Sequence, residues 1–215
     1  MHSPTPPEPF RSLTVGDLLA AFAKGSPAPG GGSAAALTGA IAGSLATMVA
    51  SLSLCKPPYP KFWQELQALE AEASGLQSRL AVLIDDDASA YLDLLAARRL
   101  PESTSDELAI RRAATAAALR RATEVPLAVA DACACVLQLA VRAAVLGRRS
   151  ARPDAVVASL LASAALRGAA VTAKVNLLEE RDEAYRRAAL GRLDELLVKD
   201  RALLVEAQQA AELGD

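Results

Sequence analysis

The stretch Ser26-Pro27-Ala28-Pro29-Gly30-Gly31-Gly32-Ser33, with the charge-free run that follows it to Leu54, decides how this chain is read. Two prolines hold a rigid turn. Three glycines then leave backbone N–H groups uncovered by Cβ atoms, and a helix opens at Ser33 with its positive dipole end facing that loop. Such a loop can hold a polar or anionic ligand; a plain loop with a good N-cap is the alternative. The pattern carries neither a GxGxxG fingerprint nor a GK[ST] after the glycines, which argues against nucleotide binding. The run from Gly32 to Leu54 is long enough to span a bilayer. It consists mostly of Ala, Ser, Gly and Thr, however, and no basic cluster flanks it closely. It reads instead as the central helix of a bundle, packed tightly through small faces such as Gly39 and Gly43.

The rest of the chain agrees with a bundle. The pattern predicts a short helix after Thr14, capped with Asp17 and ended near Lys24, then the helix to Leu54 and a turn at Cys55-Lys56-Pro57-Pro58-Tyr59-Pro60. A long amphipathic helix follows from Phe62 to Arg99. Ser103 and Ser105 are cap candidates for the next, which runs to Arg121, and Thr123-Glu124-Val125-Pro126 starts another that ends at Gly147. Asp154 opens a helix to about Leu178, and a charged helix covers Asp182 to Leu213. No stretch alternates as a strand does, so the expectation is an all-α, single-domain bundle of six to seven helices. Residues 1–12 form a flexible Pro-rich arm and 13–215 the helical domain.

A chain of 215 residues buries about 70% of its unfolded surface, enough for one core without metals or disulfides. Three cysteines and a Met-His-Ser-Pro start without a signal peptide imply free thiols and a cytoplasmic location. Cys133 and Cys135 read as core fillers, and the arginine doublets from Arg98-Arg99 to Arg148-Arg149 as solvated faces. A net charge of -2 and only 3% aromatics leave no basic, stacking surface for nucleic acid. His2 is the only histidine and lies in the arm. Acid–base chemistry therefore falls to Asp, Glu, Lys, Tyr or Cys, and His-ligated zinc is excluded.

Helical register singles out one carboxylate. Leu80, Ile84, Tyr91 and Leu94 form an apolar stripe, and Asp87 falls in line with it while Asp85 and Asp86 point elsewhere. A carboxylate on a core-facing stripe is either functional or bonded to a neighbouring helix end or an arginine. Asp131 lines up with Cys135, Gln138 and Arg142 as a structural polar strip.

The glycine-rich motif Ser26 to Ala36, Leu83-Ile84-Asp85-Asp86-Asp87-Ala88, Thr123-Glu124-Val125-Pro126-Leu127 and Val175-Asn176-Leu177 together resemble one family. It comprises the cyclodeaminase domain of formiminotransferase-cyclodeaminase and the bacterial methenyltetrahydrofolate cyclohydrolases. The likeness runs from about residue 12 to 212. It implies an all-helical homodimer that binds a tetrahydrofolate derivative as substrate near the subunit interface; beside it the expectation is neither metal nor other cofactor and no membrane or nucleic-acid partner. The two reactions it implies share one tetrahedral carbon between two folate nitrogens. Cyclohydrolase is the expected direction and cyclodeaminase the alternative, because no formiminotransferase segment is attached to deliver a formimino substrate; a non-catalytic folate-binding dimer is a further alternative.

By the same resemblance Asp87 is the acid–base residue and Lys56 the second catalytic candidate, against the plainer reading of Lys56 as an exposed turn lysine. Pro29, Gly30, Gly31, Gly32, Ser33, Tyr59, Asp154 and Asn176 are the substrate-binding candidates. A simple helix cap explains Asp154 as well as ligand binding does, and a surface polar residue would explain Asn176. The sequence departs from the family where Arg148, Ser150 and Thr172 stand in place of asparagines and Cys55 in place of a glycine. Lost amides weaken hydrogen bonding to a pterin, so these positions bear on substrate choice and activity.

Overall fold

A computed structural model describes residues 8–55 and 62–212, with side chains to 210. Among the described residues there are six α-helices and no strand: α1 (Val15–Ala23), α2 (Gly31–Leu54), α3 (Trp63–Arg98), α4 (Ser105–Leu146), α5 (Arg152–Leu177) and α6 (Glu183–Glu212). Single 3-10 turns, Phe10–Ser12 and Arg149–Ala151, precede α1 and α5. The expected bundle is therefore observed, at the lower of the two helix counts.

Small residues make α2 the central rod. It packs on α3, α5 and α4, and its buried positions are Gly, Ala and Ser with a single Val49. A Cβ at Gly43 would stand 3.1 Å from the Gln77 Cβ of α3, and one at Gly39 would stand 2.5 Å from the Cys133 Sγ of α4. Larger residues would push the helices apart, so the alanine-rich composition is what the close approach requires. By length and composition α2, α4 and the segment Arg149–Leu177 are each apolar enough to cross a membrane; in this fold they pack on one another. Helix α5 runs antiparallel to α2: Gly168 lies against Ala35 near the start of α2, and the Arg148 N–H donates to the Ser53 Oγ at its end, 2.9 Å.

Local rules account for most helix ends. Thr14 Oγ1 accepts from the Asp17 N–H and caps α1. Thr104, rather than Ser103 or Ser105, caps α4 through a reciprocal box with Glu107. Asp182 Oδ1 accepts from the Ala184 and Tyr185 N–H groups at the start of α6. Asp154 is not a cap: it sits in the first turn of α5, after an N-cap at Ala151 that makes no side-chain bond.

The expected break at Thr123–Pro126 does not occur, because α4 runs unbroken through Pro126 for 42 residues. Proline lacks the N–H that the Ala122 carbonyl would accept in a helix. Asn176, at the end of α5, supplies the missing donor from its Nδ2 at 2.7 Å. One tertiary hydrogen bond thus carries the helix past a residue that ends helices locally.

The expected polar strip is structural, with Asp131 paired to Arg192 at 2.6 Å and Arg142 paired to Glu65. Cys133 is a core filler, whereas Cys135 is exposed and is not. Burial pushes the Cys133 thiol up to about 12. At the other end of the chain, the Phe10 N–H donates to Asp85 Oδ1 at 2.6 Å, and Arg11 pairs with the same carboxylate. His2 lies outside the described residues.

Candidate active site

A cleft of about 400 Å³ opens where the glycine loop meets the facing sides of α3, α4 and α5. Its wall includes Gly30, Gly31 and Gly32 from the loop, Asp87 and Tyr91 from α3, Ala122 from α4, and Thr172 and Asn176 from α5. The volume falls in the range of small-molecule sites, which run to roughly 300–1,000 Å³.

Among the described residues Asp87 is the one acid in this wall, and the apolar stripe of α3 puts it there. Leu80, Ile84 and Leu94 are buried on the same face, so the register that fills the core also turns Asp87 toward α2. Its carboxyl lies directly over Gly32. A Cβ on Gly32 would overlap Asp87 Oδ1, with the Asp87 Cγ only 2.6 Å away. Glycine is therefore required here by space, not by conformation, since no described glycine has a positive φ. Gly31 is different: a Cβ there would meet nothing within 4 Å.

Ser33 holds the other side of the acid. Its hydroxyl lies 2.9 Å from Asp87 Oδ2 and 3.0 Å from the Ile84 carbonyl. Burial pushes the Asp87 carboxyl up from the ordinary aspartate range, and the Ser33 hydroxyl and N–H, which favour the charged form, oppose it in part. Among the described residues no ion pair neutralises it. Of the two readings of Asp87 left open by the sequence, the bond to the start of a neighbouring helix is observed, and the same carboxyl also lines a cleft. The N–H groups of Gly31 and Gly32, in the first turn of α2, have no intrahelical partner and remain as donors for a ligand.

The other candidates divide. Asn176 lines the cleft with its Nδ2 committed to Ala122, which leaves Oδ1 as its free acceptor. Pro29 is buried beneath the loop, and Ser33 is fully buried behind Asp87, so neither forms part of the wall. Asp154 lies at the opposite end of α5, about six helical turns or roughly 33 Å from Asn176, and this chain alone does not bring the two together. Lys56 and Tyr59 lie outside the described residues. The sequence reading missed Tyr91, which it placed in the core but which is 40% exposed and lines the cleft. Its position one helical turn after Asp87 was the available signal. Thr172 also faces the cleft, so one of the departures from the family pattern falls inside the site. Among the described residues no three His, Cys, Asp or Glu side chains gather as a metal would require.

An all-helical bundle that desolvates one carboxyl over a glycine-edged cleft has the makings of an acid–base enzyme for a small polar substrate. The chain belongs to the formiminotransferase-cyclodeaminase family, whose profile matches residues 14–195. It is 37% identical to a methenyltetrahydrofolate cyclohydrolase of Methylorubrum extorquens, over 88% of this chain and 91% of that protein. It is 32% identical to the formimidoyltransferase-cyclodeaminase of Sus scrofa, over 86% of this chain but only 35% of that longer protein. The fold is that of the formiminotetrahydrofolate cyclodeaminase of Thermotoga maritima, with a TM-score of 0.84 at 24% identity over 94% of this chain and 96% of that one.

Proposed function

We propose that this protein is a methenyltetrahydrofolate cyclohydrolase of the cytoplasm, which hydrolyses 5,10-methenyltetrahydrofolate to 10-formyltetrahydrofolate with no cofactor beyond the folate itself. The observation that carries the direction is the 37% identity to a cyclohydrolase along nearly the whole of both chains. Three free thiols with no disulfide support the compartment.

The chemistry asks for one group that takes and returns a proton beside a cation, and Asp87 fits that demand. The methenyl carbon belongs to an amidinium whose positive charge favours the ionised carboxylate once substrate is bound. Asp87 accepts a proton from the attacking water as the C–O bond forms, giving a neutral tetrahedral carbinol. It then returns that proton to N5. The C–N5 bond breaks as the carbonyl forms, and the hydroxyl proton leaves to solvent. Gly31 and Gly32 N–H groups, the Asn176 amide and the Tyr91 ring hold the pterin, and Lys56, Tyr59 and Asp154 complete the site.

Asp154 reaches that site only from a second chain, and we read the assembly as a homodimer. Ile41, Met48 and Leu52 of α2 and Val157, Leu160, Val171 and Val175 of α5 are large apolar side chains left exposed on adjacent helices. A two-fold contact across that face, with the helices crossing antiparallel, sets the start of one α2 and the end of its partner's side by side.

Similarity to the Sus scrofa enzyme favours a second reading, formimidoyltetrahydrofolate cyclodeaminase. There one folate nitrogen attacks the formimino carbon and ammonia leaves from the same tetrahedral centre. The test is the absorbance decay of methenyltetrahydrofolate with the purified protein, beside ammonia release from formiminotetrahydrofolate. Hydrolysis above the spontaneous rate without ammonia release supports the first reading; ammonia release alone replaces it with the second.

A further inference from the structure

We propose that Ser33 is the positioning residue of the Asp87 carboxyl, its single hydroxyl hydrogen alternating between Asp87 and the Ile84 carbonyl so that the acid stays hydrogen-bonded with and without its proton. The inference rests on the cyclohydrolase reading for its use in turnover, though the coupling itself is a property of the free protein.

The geometry sets two acceptors around one donor. Ser33 Oγ is 3.0 Å from the Ile84 carbonyl oxygen and 2.9 Å from Asp87 Oδ2, and a hydroxyl has one hydrogen to give. With Asp87 ionised, the Ser33 hydroxyl donates to the carboxylate, and Ile84 keeps its helical bond to the N–H one turn on. With Asp87 protonated, the acid donates to Ser33 Oγ, which turns its own hydrogen to the second lone pair of Ile84. Each state keeps the Ser33 hydroxyl and Asp87 Oδ2 hydrogen-bonded by rotating O–H groups, with no heavy atom displaced. Ser33 is wholly buried, so water does not compete for either position.

Among the described residues Ser33 is the main partner of this acid. Helix α2 and the glycine loop bring no charged side chain to the cleft, α4 brings Ala122, and α5 brings Thr172 and Asn176, neither of which ionises. On α3, Tyr91 shares the cleft wall, and Asp85 is held by Phe10 and Arg11. Among the described cations, Arg121 pairs with Asp93 and Lys174 with Asp194, and none pairs with Asp87. Desolvation raises the affinity of Asp87 for its proton and Ser33 lowers it, which is the balance an acid needs to accept a proton and return it in one cycle.

The experiment compares wild type, Ser33→Ala and Ser33→Cys. Asp87 is titrated in the free protein by the carbon NMR shift of its carboxyl, and the pH profile of kcat is recorded on methenyltetrahydrofolate. Ser33→Ala is expected to raise the Asp87 midpoint by about one pH unit, since the charged form loses a charge-assisted bond. The acid limb of kcat moves with it, neutral kcat falls about tenfold, and KM changes less than about twofold. Ser33→Cys, which keeps a weak donor, falls between and carries the test if the alanine variant does not fold. An unmoved midpoint with a lowered melting temperature overturns the proposal and leaves Ser33 a packing residue. Absence of turnover in wild type overturns the cyclohydrolase reading instead, and the carboxyl titration then decides the coupling alone.

Discussion

At Asp87 the physics of one residue produces two measurable trends. Replacing it with Asn keeps volume and register but removes the proposed proton carrier, so turnover is expected to fall by roughly 10²–10⁴-fold while folate binding persists. Stability should move the other way. A carboxyl whose folded pKa lies above its unfolded value binds more protons when folded, so the fold loses stability as pH rises through that interval and regains it on acidification. Asp87→Asn is therefore expected to melt above wild type at pH 7, with the gap closing below about pH 4, the unfolded aspartate value. Parallel melting curves across that range would defeat the assignment. Gly32 gives a sharper steric prediction. Gly32→Ala drives its Cβ into the Asp87 carboxyl, and a displacement of that order lowers kcat by roughly a hundredfold. Gly31→Ala, with open space around it, should retain the wild-type melting temperature. The glycine run and the Asp87 register were legible in the sequence; which glycine lies beneath the acid was not, because only the crossing of α2 and α3 decides it.

At the scale of the helix, the lesson lies in α4. Local rules read Pro126 as a start, and they were right about what proline removes but blind to what replaces it. The replacement comes from Asn176, 50 positions along the chain, whose amide reaches the orphaned Ala122 carbonyl. Helix existence was legible elsewhere because caps and apolar stripes are local, whereas this continuity is tertiary. A double-mutant cycle exposes it. Asn176→Leu leaves that carbonyl unpaired and should cost about 1–3 kcal/mol in urea unfolding. Pro126→Ala restores the N–H within the helix, so in that background the same asparagine change should cost clearly less. Equal costs in both backgrounds would show that Asn176 does not support the helix.

For the whole molecule, the arrangement of the candidates along α5 matters more than any one of them. The family resemblance makes Asp154 and Asn176 both substrate-binding candidates, yet the helix that joins them holds them roughly 33 Å apart, a separation that linear spacing cannot reveal as two ends of a bundle. If both serve folate, each site draws Asp87 and Asn176 from one chain and Asp154 from the other. Subunit mixing tests this. Asp87→Asn and Asp154→Asn proteins, each nearly inactive alone, are mixed, partly unfolded and reassembled. Half of the resulting dimers are mixed, and in each of these one site collects both intact halves while the other collects both altered ones. Activity should therefore return to about a quarter of wild type per subunit. If every site is built within one chain, or if the protein sediments as a monomer, mixing restores nothing beyond the average of the two parents, and Asp154 reverts to a residue of the first turn of α5 with no part in the chemistry.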